Sequence, residues 1–249
     1  MAIDRARTEL LIAAVLRLLD GCRTIAVGNS SPVAGSAALL LRAKKPETRV
    51  LMLGSRKHNA FTDGGRELFD CAAQGRIDAF FLGGGQIDGE GNINLVGLGP
   101  YPNITHRFPG SFGSAYLYYL IPHVILFREE HTPRVMVPKV DFISAPGFSA
   151  PGVYRPGGPA ALVTGRCIFG FDKARRRFRL ESVHPGESVE SVRANTGFDF
   201  DVADDVRETA PLAAADLALL RERVATEIAE TYPRFARALF GIEAQSAAE

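Results

Sequence analysis

Apolar residues in the first eighty positions alternate between two rhythms. Residues 5–19 place Leu11, Val15 and Leu18 on one face at helical spacing, and Asp20-Gly21 ends the run. Arg23–Gly28 (RTIAVG) is a short apolar run that stops at glycine, which predicts a strand ending in a loop. Asn29, Ser30 and Ser31 offer helix caps, and Pro32 suits the first turn of a helix reaching about Ala43. Arg49–Leu53 predicts a second strand, broken by Gly54-Ser55. Residues 64–74 predict a helix, and Ile77–Leu82 a third strand that stops at Gly83-Gly84-Gly85. Strand and helix in alternation predict a parallel sheet covered by helices, its strands apolar on both faces. Ligands of such sheets lie beyond the strands' carboxyl ends, so the loops at Gly28, Gly54 and Gly83 are expected on one functional edge.

The second half is denser in Pro and Gly. Strands are predicted at 123–128, 134–137, 161–164, 166–171 and 178–183, with a hairpin turn at 172–177. A short helix is expected at 187–194. A C-terminal helix is expected over about 212–240, with Leu217, Leu220, Val224 and Ile228 on one side. No internal repeat or interdomain linker stands out, so 1–249 reads as a single domain.

Composition narrows the class. With 46% apolar and 23% charged residues, the chain can bury a proper core. A net charge of +1 gives no electrostatic footprint for nucleic acid. No apolar run has the length of a membrane span. The N-terminal stretch TELLIAAVLRLLDG is short and carries Arg17, unlike a secretory signal, so a cytoplasmic protein is expected. Three cysteines without paired spacing argue against a disulfide framework or zinc site, and five histidines show no ligand spacing; no metal is expected.

The glycines carry the candidate chemistry. GGGQIDGEGN does not fit G-x-G-x-x-G, because a strand rather than a helix follows it. It reads either as a tight turn needing positive φ or as main chain left bare for a ligand. PGSFGSA lacks the G-x-S-x-G spacing of a nucleophile elbow. KARRR at 173–177 reads as a solvated turn, with phosphate holding as the alternative; Cys71 reads as a packing residue. These residues alone describe an α/β enzyme with a glycine-lined site and no named reaction.

The order of four strings adds more. GRIDAFFLGGGQIDGEGNIN, PGSFGSA, HVILFREEHTPRVMVPKVDFISAPG and ESVHPGESVESVRANTGFDFDV together resemble the β-type subunit of class I CoA-transferases, over roughly residues 5–205. The resemblance is nearest to the glutaconate CoA-transferase branch and to subunits of ring-opening CoA-thioester hydrolases. It implies a three-layer α/β/α fold with a mostly parallel sheet, the CoA-transferase fold. It implies an α-type partner subunit in a heterodimer or heterotetramer, a CoA thioester as substrate, and no resident cofactor. In such enzymes a glutamate attacks the thioester to give an anhydride and then a glutamyl–CoA ester. Main-chain N–H groups of Gly83, Gly84 and Gly85, and of Gly110, Ser111, Phe112 and Gly113, are expected to face the oxyanion, with Gln86 adding an amide donor. A side chain at 84 or 113 is expected to stop turnover while the fold survives.

The chain departs from the family at one place. The glutamate's position after the second strand falls on Gly54, and VLMLGSRKHN contains no Glu. Ser55 and His58 are the nearby polar candidates; His58 has a general base's chemistry, whereas RKHN as a whole also reads as a solvated loop. Three functions follow: CoA transfer to a carboxylate; thioester or ring-opening C–C hydrolysis with the acid supplied by the partner; or a non-catalytic subunit binding CoA esters.

Overall fold

Asp4 starts the first helix, its carboxylate accepting the Arg7 N–H, in the computed structural model, which describes residues 4–242. The expected domain limits therefore include residues 1–3 and 243–249, which lie outside the described residues. The chain groups into two compact units. The first comprises residues up to Leu68, Arg76–Ala79 and those from Ala210; the second comprises Phe69–Gly75 and Phe80–Thr209.

In the first unit, helix α1 (Arg5–Leu18) is followed by β1 (Thr24–Val27), α2 (Pro32–Lys44) and β2 (Arg49–Met52). Strands β1 and β2 pair in parallel from Thr24↔Arg49 to Val27↔Met52. Helix α3 (Gly64–Ala73) leads to β3 (Ala79–Leu82), whose Ala79 pairs in parallel with Ile25 of β1. The Asp78 carboxylate accepts the N–H groups of Arg23 and Thr24 at 2.8 Å each, which sets that register. Gly28 and Gly54 thus each follow a strand's carboxyl end, as the alternation predicts. Strand β3 likewise ends at Gly83.

Strands β4 (Gln86–Ile87) and β5 (Ile93–Asn94) form one small hairpin, β6 (Gly97–Leu98) and β7 (His106–Arg107) another; α4 (Ser114–Leu120) follows. Then come β8 (His123–Arg128), β9 (Pro159–Thr164), β10 (Cys167–Asp172), β11 (Arg177–Val183), α5 (Val189–Ala194) and β12 (Asp201–Glu208). In the second unit the strand order is β12-β11-β10-β9-β8-β3; β8–β9 and β11–β12 are parallel, β9–β10 and β10–β11 antiparallel. With the parallel pairs of the first unit, the sheet is mostly parallel and the class is α/β. Phe169, Phe178, Phe198 and Phe200 form the aromatic centre of this unit, with ring centroids 5.0 Å apart for Phe169–Phe200 and 5.6 Å for Phe178–Phe198.

Two sequence readings change. Residues 134–137 are a turn with one bridge, Met136 to Ile87, because Pro133 and Pro138 flank it and a proline cannot donate to a ladder. The C-terminal helix is segmented as α6 (Ala214–Leu219), a π turn (Leu220–Val224), α7 (Ala225–Thr231) and α8 (Pro233–Phe240). Tyr232, at φ −128° and ψ 66°, breaks it because the residue before proline avoids the helical region. These segments complete the first unit: Gly35 lets Ile228 Cδ1 and Met52 Cε approach to 3.2 Å of where a Cβ would stand, and Arg221 grips buried Glu9 with two 2.8 Å bonds.

Candidate functional site

The loop after β2 in the first unit is held by its own backbone and by Glu230. Ser55 is buried; its Oγ accepts the N–H groups of Lys57 (3.1 Å) and His58 (2.8 Å) and donates to Glu230 Oε2 at 2.7 Å. Glu230 Oε1 accepts the Arg56 N–H at 2.7 Å, and Thr231 Oγ1 donates to Oε2 at 2.7 Å. Burial alone would raise the Glu230 carboxyl, but these donors outweigh it and hold it below its ordinary value. It is an anion held by three donors, which fix it to the loop.

Gly54 itself is exposed. A Cβ there would stand 2.8 Å from Asn29 Oδ1 and 3.2 Å from Thr231 Cγ2, so a side chain at 54 would require the end of Asn29 to turn aside. His58 lies behind the loop, its Nδ1 3.2 Å from Arg42 Nη1. A guanidinium only donates, so Nδ1 accepts and the ring is neutral with its proton on Nε2. Burial, then the Arg42 charge, push His58 below its ordinary value. Arg42 also pairs with Glu227 at 2.6 Å. Glu67 accepts the N–H groups of Thr62 and Asp63 at the start of α3. Glu67, Glu227 and Glu230 are thus each committed to a structural partner.

The glycine turns lie in the second unit, where the protein's own packing accounts for much of the bare backbone. A Cβ at Gly84 would meet the Gln86 carbonyl oxygen and Ile93 Cγ2, both at 2.7 Å; one at Gly85 would enter the Phe108 ring. A substitution at 84 therefore disturbs the fold as well as any ligand. The Gly85 N–H donates to the Asn94 carbonyl at 2.9 Å. Gln86 is buried, and its Oε1 accepts from Asn94 Nδ2 (2.7 Å) and the Asp141 N–H (2.9 Å), so it braces the β4–β5 hairpin. The D-G-E-G-N tip is closed by Asp88, which accepts the Glu90 and Asn92 N–H groups at 3.1 Å, with Gly91 at φ +74°.

Phe108, which covers Gly85, stands two residues before Gly110, so the two glycine turns are neighbours. Gly110 has φ +113° and open space where a Cβ would be; Gly113 has φ +66°, and a Cβ there would strike the Phe69 ring. A side chain at 113 is excluded by the fold too. Ser111 accepts the Ser114 N–H through its carbonyl at 2.8 Å, and Phe112 is exposed at φ +35°.

Other polar groups have plain structural partners. Arg175 and Arg177 share the carboxylate of Asp201, and Arg176 lies 4.4 Å over the Phe148 ring, so each guanidinium has a structural partner at the rim of an open cleft of about 590 Å³. His131 is a core residue, its ring nitrogens 2.8 Å from Thr164 Oγ1 and Thr196 Oγ1. Glu130 pairs with Arg128 and Arg134. Among the described residues no His/Cys/Asp/Glu group could hold a metal ion, and no helix is long and apolar enough to cross a membrane. Sequence reasoning missed Asn29 and Glu230 as loop partners. Glu230 follows the buried Ile228 and Ala229 of the last helices, but no spacing in the sequence ties it to this loop.

A family model described as Coenzyme A transferase matches residues 5–195. The B-type subunit of 3-oxoadipate CoA-transferase from Pseudomonas knackmussii is 36% identical over 154 residues, 59% of this chain and 58% of that one. The B-type subunit of glutaconate CoA-transferase from Acidaminococcus fermentans is 36% identical over 151 residues, 58% of this chain and 56% of that one. The cholesterol ring-cleaving hydrolase IpdB subunit of Rhodococcus jostii is 31% identical over 165 residues, 63% of each. The matched region spans less than two thirds of the length of these relatives. The crystal structure of the decarboxylase AibA/AibB superposes with a TM-score of 0.77 at 24% identity, covering 96% of this chain and all of that one. The family model covers well over half of the chain, and the chain belongs to the coenzyme A transferase family.

Proposed function

We propose that this chain is the B-type subunit of a two-component enzyme that acts on an acyl-CoA thioester without forming a glutamyl–CoA ester on its own polypeptide. The observation that carries this reading is the loop after β2. Position 54 has no side chain, Asn29 takes up the adjoining space, and Glu67, Glu227 and Glu230 are all held by structural partners. The reaction is then hydrolytic, either thioester or C–C bond cleavage, with water as the acceptor and the acid supplied by an α-type partner. The ring-cleaving hydrolase relative supports it. The main-chain N–H groups of Gly83, Gly84 and Gly110–Gly113 are the oxyanion donors; each such donor contributes about 2.7–4 kcal/mol of transition-state stabilisation. Transfer of CoA to a carboxylate is the second reading, favoured by the 36% identity to two transferase subunits. It requires the attacking carboxylate to come from the partner.

The test is co-expression with an α-type subunit and measurement of acyl-CoA loss with and without an added carboxylate, followed by hydroxylamine and borohydride trapping. The expected result is acceptor-independent release of CoA with no trapped glutamate on this chain. Acceptor-dependent loss with a trapped glutamate here, at Glu230 for instance, overturns the proposal. Loss in neither arm defeats catalysis and leaves a binding role.

A further inference from the structure

Phe112 has a backbone conformation that a phenylalanine rarely adopts, φ +35°, and yet exposes 73% of its surface to water. A bulky residue at positive φ is an outlier, and backbone strain of this kind clusters at ligand sites. Nothing in the packing of the second unit demands the ring, since it is mostly in solvent. Its surroundings instead support it from below. The Phe69 ring lies 5.9 Å from it, and Tyr116, 44% exposed, stands edge-on to Phe69 at 5.5 Å. Gly113 lacks the Cβ that would strike Phe69, so the glycine makes room for the ring beneath the turn. Two glycines in left-handed conformations, Gly110 and Gly113, flank Phe112, and the space beside Gly110 is open. Residues 108–122 contain no charged side chain.

We infer that Phe112, carried on Phe69, which Tyr116 braces, is the specificity-determining residue for the acyl group, and that the group it takes is apolar and ring-like rather than a dicarboxylate chain. The inference rests on the acyl-CoA reading above and deepens it. The ledge is part of the same turn whose N–H groups face the thioester carbonyl in that reading, so an acyl group leaving the carbonyl meets it within a few bonds. A flat apolar group stacks on an exposed ring in offset or edge-on geometry. A terminal carboxylate finds no cation along the uncharged stretch and loses hydration against the rings.

The experiment uses the complex of this chain with its α-type partner and three probes measured by titration calorimetry: CoA alone, the thioether S-benzyl-CoA, and the thioether S-(3-carboxypropyl)-CoA. Thioethers cannot be turned over, so the readout is binding. The expected result is S-benzyl-CoA binding on the order of tenfold tighter than the carboxypropyl analogue, from one stacked ring. Phe112→Gly should abolish that preference; glycine suits the backbone, so its thermal midpoint should not fall. If none of the three probes binds, the acyl-CoA reading itself fails. If all bind but the preference is absent, or survives Phe112→Gly, the assignment of the ledge fails while the acyl-CoA reading stands. A Phe112→Gly chain that no longer co-purifies with the partner assigns the ring to subunit docking and also overturns it.

Discussion

Acidification from pH 7.5 to 5 should weaken the second unit through His131. The ring is 3% exposed and bonded on both sides, to Thr164 and Thr196. Burial, then the Arg166 charge, push it down from 6.5 to about 4, although Glu187 acts in the opposite sense. The folded value lies below the unfolded one, so the unfolded chain takes up the proton first. Stability is complete above the unfolded value and declines as pH falls from 6.5 towards 4. At pH 5 the unfolded ring is almost fully charged and the folded ring almost neutral, which costs about 2 kcal/mol relative to pH 7.5. The sequence contains no tryptophan, so urea unfolding is best followed by far-ultraviolet circular dichroism. His131→Gln keeps polar atoms in the network but cannot titrate, and subtracting its acid sensitivity removes the contribution of every other group. The wild type should lose about 2 kcal/mol more than the variant between the two pH values. Equal losses would show that the native ring binds its proton as readily as the unfolded one, and the burial argument would be wrong.

Other expectations concern the loops. Ser55→Ala leaves the Lys57 and His58 N–H groups without their acceptor and removes one donor from Glu230; it should cost about 1–3 kcal/mol and speed amide exchange at 57 and 58, and unchanged exchange would refute the clamp. Gly85→Ala drives a methyl into the Phe108 ring and should cost about 1–3 kcal/mol by calorimetry, part of it recovered by adding Phe108→Leu; no recovery would mean the crowding lies elsewhere. Cys167 is buried and its thiol is pushed up to about 12, burial being the main cause. It should therefore resist a disulfide reagent at pH 8 until denaturant is added, and rapid labelling of the folded protein would contradict this.

The strongly patterned elements were legible in the sequence because their burial is symmetrical. The strands at β1, β2 and β8 are apolar on both faces, and their limits fall within a residue or two of those read from the pattern. Strand β12 was not legible: DVADDVRE is charged and mostly exposed, an edge strand with β11 on one side, so it carries no apolar signature. The glycine turns were located from the sequence, but their cause was not. That Gly85 and Gly113 make room for Phe108 and Phe69 depends on contacts between residues 23 and 44 positions apart. That the loop after β2 holds no glutamate was visible in the sequence. What stands around it, Asn29 and Glu230, was not visible, because no local spacing joins residue 230 to residue 55.

The first unit joins residues far apart in the chain: Glu9 to Arg221 across 212 positions, and Arg42 to Glu227 across 185. During translation the apolar side of α2 waits for its cover until the ribosome has added most of the 185 positions that separate Arg42 from Glu227. At about 5–20 residues per second that is a delay on the order of ten to forty seconds. The strands of the second unit emerge earlier, so the half carrying the β2 loop closes last, and nascent molecules stalled before residue 210 would present α1 and α2 to chaperones as an open apolar groove.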